Sequence, residues 1–139
     1  FRMVSIRSML ILTSLITISF SCSCIESTPE KIYCMSEFVS KVRVDDEWTK
    51  SQFTAYTVKH LQIFKHPKST DNATLVKWVY TAPQSAACGV RLTKGDDVIL
   101  AGSVRDGHLF INDCAEIDPS FDTRAFENLN CTTTDMNSQ

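Results

Sequence analysis

Phe38, Ser40, Val42 and Val44 alternate with Val39, Lys41 and Arg43, the period of two expected of a strand with one face in a core. Runs of strand formers follow downstream. Phe53 to Phe64 is a long run containing Tyr56 and Val58, and Leu75 to Tyr80, Val98 to Val104 and His108 to Asn112 complete five predicted strands. The segments between them read as turns: Asp45-Asp46-Glu47, His66-Pro67-Lys68, Lys94-Gly95-Asp96-Asp97 and Arg105-Asp106-Gly107, the last predicting a tight hairpin. After Cys114 the period lengthens. Asp118 or Ser120 is placed to cap a helix from about Phe121 to Leu129, with Phe121, Ala125, Phe126 and Leu129 on one face. Five strands and a terminal helix predict a mainly β fold, an OB-fold-like five-stranded barrel with a flanking helix. Trp48 and Trp78 are expected to anchor the core or its rim, and Thr132 to Gln139 reads as a mobile polar tail.

The first 21 residues follow a different pattern. Arg2 and Arg7 precede an apolar run from Met9 to Phe20, and Ser19-Phe20-Ser21 sets small residues at the −3 and −1 positions of a cleavage site. The run is shorter than the roughly 20 apolar residues that span a bilayer. Residues 1–21 therefore read as a signal peptide cleaved after Ser21, which makes Cys22 the first residue of the mature chain and predicts a secreted, extracellular protein without membrane attachment. The remainder suits one domain, residues 22–131, with a modest core.

The chain of 139 residues carries 14 basic and 16 acidic side chains, a net charge of −2. Loss of Arg2 and Arg7 with the leader makes it more negative. Nucleic acid is excluded as an expected partner, because phosphate binding draws on a basic surface. All six cysteines follow the predicted cut: Cys22, Cys24, Cys34, Cys88, Cys114 and Cys131. An even number in a small secreted chain reads as three disulfides. Spacing leaves their pairing open, although Cys22 and Cys24 are too close in sequence to bridge easily. A structural zinc site is the weaker reading, since C-x-C has no second short-spaced knuckle and His60, His66 and His108 share no ligand spacing. Asn72-Ala73-Thr74 and Asn130-Cys131-Thr132 are glycosylation sequons at Asn72 and Asn130. No grouping of histidine, carboxylate and nucleophile argues for catalysis, so the chain is not expected to be an enzyme or to hold a cofactor of its own.

Cys22-Ser23-Cys24 at the mature start, the run from Tyr80 through Ala82-Pro83-Gln84-Ser85-Ala86-Ala87-Cys88-Gly89-Val90, Leu100-Ala101-Gly102, and Gly107 through Phe110-Ile111-Asn112-Asp113-Cys114 resemble the N-terminal, netrin-like domain of the tissue inhibitors of metalloproteinases. The likeness covers Cys22 to Cys131, and a chain stopping soon afterwards resembles the single-domain members found in parasitic worms. The resemblance implies disulfides Cys22–Cys88, Cys24–Cys114 and Cys34–Cys131. It also implies a mechanism in which the Cys22 α-amine and carbonyl oxygen bind the catalytic zinc of a target metalloendopeptidase such as a matrix metalloproteinase. Ser23 would enter the protease S1′ pocket, with Cys24 and Ile25 beyond it and Ser85, Ala86, Ala87 and Cys88 alongside as a second contact segment. The competing reading is a netrin-like module that engages a cell-surface or immune receptor of a host without inhibiting a protease.

Overall fold

The computed structural model describes residues 22–68, 76–83 and 88–132. The predicted leader, Asn72, Ser85 to Ala87 and the tail after Thr132 lie outside the described residues. Among the described residues one α-helix and six strands follow in chain order: α1 (Pro29–Met35), β1 (Phe38–Lys50), β2 (Phe53–Lys65), β3 (Trp78–Thr81), β4 (Asp97–Arg105), β5 (His108–Phe110) and β6 (Glu116–Ile117). Strands β1, β2, β3, β5 and β4 pair in that order, and β4 returns to β1, so five strands close a barrel while β6 adds a short pairing on β4. All pairings are antiparallel except β3 with β5. Closure removes most of the open edge that a five-stranded sheet would otherwise expose.

Alternation along β1 and β4 divides the apolar residues between two layers. Phe38, Val42, Val44, Tyr56, Val58, Val79, Leu100 and Leu109 fill the barrel with Val90, Leu92 and Ile111. Val39, Ile99 and Ala101 point the other way and pack with Ile32 of α1, Ile117 of β6 and Phe126. This outer cluster is rich in rings: Tyr33 stacks on Phe126 at 4.7 Å, and Phe64 meets the same ring edge-on at 5.5 Å. Gly102 sits where any Cβ would collide with the Phe110 carbonyl, so the β4–β5 crossing depends on the missing side chain.

Sequence reading and structure differ at several places, among them the short strand β6, which the five predicted strands lack. The Asp45-Asp46-Glu47 segment is not a turn: β1 runs through it to Lys50, absorbing a register shift between Val44 and Asp46, and the chain reverses at Ser51-Gln52. Acidic residues are tolerated there because the arm beyond Val44 is exposed and, while still paired with β2, has no β4 partner. Trp48 lies on that arm, 58% exposed, and anchors no core. The predicted helix from Phe121 to Leu129 is instead a 3-10 turn at Thr123–Phe126, capped by Asp122 rather than by Asp118 or Ser120. Its backbone bonds run three residues back, Ala125 to Asp122, Glu127 to Arg124 and Leu129 to Phe126, the tighter winding used in short pieces. Asp118 spends its carboxylate on the Ser120 backbone and hydroxyl, which turns the chain before a helix can start. Finally, α1 carries an overlooked start signal: Thr28 caps it by accepting from the Lys31 N–H, and Pro29 follows at the first helical position. Lys65 donates to the Tyr33 and Cys34 carbonyls at its far end.

The turn at Lys94-Gly95-Asp96 has Gly95 at a φ of 90°, with its N–H donating to Val44. The Asp106-Gly107 hairpin also uses positive φ at both residues, the backbone twist suited to a two-residue reversal.

Candidate functional site: the disulfide-held chain start

Three bridges join Cys22 to Cys88, Cys24 to Cys114 and Cys34 to Cys131, with Cα separations of 5.1, 5.3 and 5.4 Å. The first two lie side by side, with the Cys22 and Cys114 sulfurs 3.7 Å apart. They staple residues 22–24 to two separate segments of the body. Ser23, Cys24, Ile25 and Glu26 are exposed, Ile25 at 67%, and Cys22 is half-buried. The Ser27 hydroxyl donates to the Ile25 carbonyl, bending the chain toward α1.

Each anchor segment is fixed by the barrel. After β3, the chain reaches Cys88, which sits at a φ of 68° in the left-handed region that costs a non-glycine residue energy and requires support from its surroundings. That support comes from the barrel interior. Tyr56 of β2 donates its hydroxyl to the Val90 carbonyl and accepts from the Leu92 N–H, while the Thr81 hydroxyl of β3 accepts from the Val90 N–H at 2.9 Å. Gly89 allows the close pass: a Cβ there would stand 2.8 and 2.7 Å from the Ala82 and Pro83 carbonyl oxygens. The second anchor follows β5. Asn112 caps the 3-10 turn Asp113–Ala115 by accepting from the Cys114 N–H, and the Asp113 N–H donates across to the Cys88 carbonyl at 3.2 Å. Cys88 and Cys114 are thereby tied to each other as well as to the chain start.

Asp113 was not singled out from the sequence. Its carboxylate oxygen lies 3.4 Å from the Cys22 sulfur, 3.8 Å from that of Cys114 and 4.0 Å from that of Cys24. These are contacts rather than hydrogen bonds, because bridged sulfurs carry no proton. Cys22, Cys24, Asp113 and Cys114 place four potential ligand atoms within 4.8 Å of one another. With all three sulfurs consumed in disulfides, thiolate ligation is closed to them. What the exposed chain start can offer a metal is backbone nitrogen and oxygen. A groove of about 460 Å³ opens on the flank, bordered by Ser27, Thr81, Ala82, Arg105, Phe110 and Asn112.

Of the residues singled out from sequence, the structure gathers Cys22, Ser23, Cys24, Ile25 and Cys88, whereas Ser85, Ala86 and Ala87 fall outside the described residues. Asn130 is exposed beside Cys131, and Asn72 is not described. A Ser–His pair does occur elsewhere: the Ser40 hydroxyl lies 2.8 Å from His60 Nδ1, and His60 Nε2 lies 2.9 Å from the Val76 carbonyl. Ser40 is completely buried, so substrate cannot reach it. Burial lowers the His60 pKa, opposed by the Val76 hydrogen bond. The pair ties strands together. No helix among the described residues is long and apolar enough to cross a membrane.

Residues 20–133 match the family model described as tissue inhibitor of metalloproteinase. The Caenorhabditis elegans protein named "Putative metalloproteinase inhibitor tag-225" is 28% identical over 135 residues, covering 88% of this chain and 84% of that protein. Human metalloproteinase inhibitor 2 is 27% identical over 124 residues, 80% of this chain and 54% of its own length. Mouse metalloproteinase inhibitor 4 is 27% identical over 111 residues, 71% of this chain and 48% of its own length. The chain thus spans about half the length of these two mammalian relatives.

Proposed function

The chain belongs to the tissue inhibitor of metalloproteinase family, and from that premise we propose that it is a secreted inhibitor of zinc metalloendopeptidases, acting through the amino terminus that cleavage after Ser21 would create. Family members inhibit proteases and are not themselves enzymes. The observation that carries the reading is the Cys22–Cys24 segment, half-buried at Cys22 and exposed beyond it, held by two adjacent disulfides on barrel-anchored residues.

Catalytic zinc sites keep one coordination position open beside three protein ligands. The Cys22 α-amine, once deprotonated, and the Cys22 carbonyl oxygen would fill it and displace water. The reference pKa of such an amine is about 7.7 to 8.0, so inhibition weakens as pH falls below that range and the proton competes with the metal. Ser23 would enter the S1′ pocket, Ile25 would pack past it, and Ser85 to Cys88 would form the second contact segment. Stapling before encounter reduces the ordering cost of association. A secreted route also admits glycans at Asn72 and Asn130.

The test is a tight-binding titration of oxidised protein beginning at Cys22 against matrix metalloproteinase catalytic domains, beside a form carrying one additional N-terminal Ala. Stoichiometric inhibition by the first, weakened more than about a hundredfold in the second, is expected, because the extension converts the amine into an amide that cannot ligate. Equal inhibition by both forms would contradict the mechanism. A folded protein with a verified Cys22 start that inhibits none would transfer the reading to a receptor-binding netrin-like module.

A further inference from the structure

We infer that Asp113 is a specificity-determining residue of the inhibitory edge, favouring proteases whose zinc-cleft rim presents a lysine or arginine and disfavouring those with an acidic rim. The inference rests on the chelating mode proposed above. Asp113 is exposed, makes no ion pair among the described residues, and holds its carboxylate oxygen 3.4 Å from the Cys22 sulfur and 4.0 Å from that of Cys24. A protease that takes Cys22 onto its zinc must therefore bring its rim against this charge.

The carboxylate cannot readily swing away with its backbone. The Asp113 N–H is bonded to the Cys88 carbonyl, the following Cys114 N–H is capped by Asn112, and Cys114 is bridged to Cys24. A charge so fixed acts as a selection device. Covered by a protein surface it loses water, which is offset only where a cation or hydrogen-bond donor meets it, and an opposing carboxylate adds repulsion. Uncharged alternatives at this position would lack both effects. Ser23, Cys24 and Ile25 carry no charged side chain and Glu26 lies beyond them at the exposed start, whereas the Asp113 carboxylate is in contact with the Cys22 sulfur itself.

The experiment compares the Cys22-start protein with Asp113→Asn, which keeps the shape and removes the charge. Inhibition and association rates are measured at low and high ionic strength against catalytic domains grouped by the charge on their cleft rim. Asp113→Asn should weaken inhibition of basic-rimmed domains by about tenfold and leave unchanged or improve that of acidic-rimmed ones, with the difference shrinking as salt is raised. Equal thermal stability of the two proteins separates recognition from folding. If both groups shift by the same factor, or neither shifts, Asp113 does not set specificity even though the chelating mode stands. If the unmodified protein inhibits neither group, that mode fails and this assignment falls with it.

Discussion

Tyr56 has no exposed surface, yet its hydroxyl serves two backbone groups of the segment that carries Cys88: it donates to Val90 and accepts from Leu92. Removing that oxygen in Tyr56→Phe leaves the Val90 carbonyl with one partner fewer and the Leu92 N–H unserved inside the barrel. The expected loss is about 1 to 3 kcal/mol in the free energy of unfolding, read from denaturant titration. Inhibition should weaken less than stability, since the disulfide still retains Cys88. At this scale the sequence made the cysteines legible, because a C-x-C after a cleavage motif needs no tertiary context to be noticed. Tyr56 and Thr81 were not legible as supports. Their partners lie 34 and 9 residues away and are backbone atoms, which carry no signature in a side-chain pattern. Asp113 stood beside Cys114 in the motif, but its closeness to Cys22 follows from a disulfide with a sequence separation of 66 and from a backbone bond to Cys88.

Strands are tied across the barrel by side chains as well as by their ladders. His60 on β2 lies against Ser40 on β1 and the Val76 carbonyl ahead of β3, so one imidazole joins three segments. Burial lowers its pKa below the unfolded value of about 6.5. The unfolded chain thus binds this proton more readily, and the stability present above the unfolded pKa is lost as pH falls through it toward the folded pKa. Thermal melts should show a decline over that acidic window that is reduced in His60→Gln, whose side chain does not titrate. A decline of equal size in the variant would assign the effect to other groups. Alternation was readable in β1, which buries Phe38, Val42 and Val44 in the barrel and turns Val39 to the outer cluster, while β2 and β4 were legible as runs of strand-forming residues. The segment after Cys114 was misread for a physical reason. Phe121, Phe126 and Leu129 do gather on one side, but they do so through successive three-residue turns that converge on Tyr33 and Phe64. The pattern recorded Phe121, Phe126 and Leu129 correctly as facing the body, but it set the exposed Ala125 among them and misread the winding.

The whole molecule is a small barrel with long covalent closures. Disulfides spanning 66, 90 and 97 residues bind the start of the described chain to Cys88 and Cys114 and its far end, at Cys131, back to Cys34. In the chain-entropy treatment each such closure contributes about 4 to 5 kcal/mol by restricting the unfolded ensemble. The bridges at Cys22 and Cys24 also hold the start on a defined path although Ser23 to Glu26 are exposed, which a terminus tethered only by surface contacts would not. Rigidity at the chain start and exposure of its backbone are the two properties that chelation requires.

X-ray absorption spectroscopy at the zinc edge, on the complex of the Cys22-start protein with a metalloproteinase catalytic domain, tests this most directly. Ligation through the Cys22 amine and carbonyl predicts a first shell made only of nitrogen and oxygen, at about 2.0 to 2.2 Å, with one more scatterer than the free protease. A spectrum unchanged from the free enzyme, or a sulfur shell at about 2.3 Å, would contradict it.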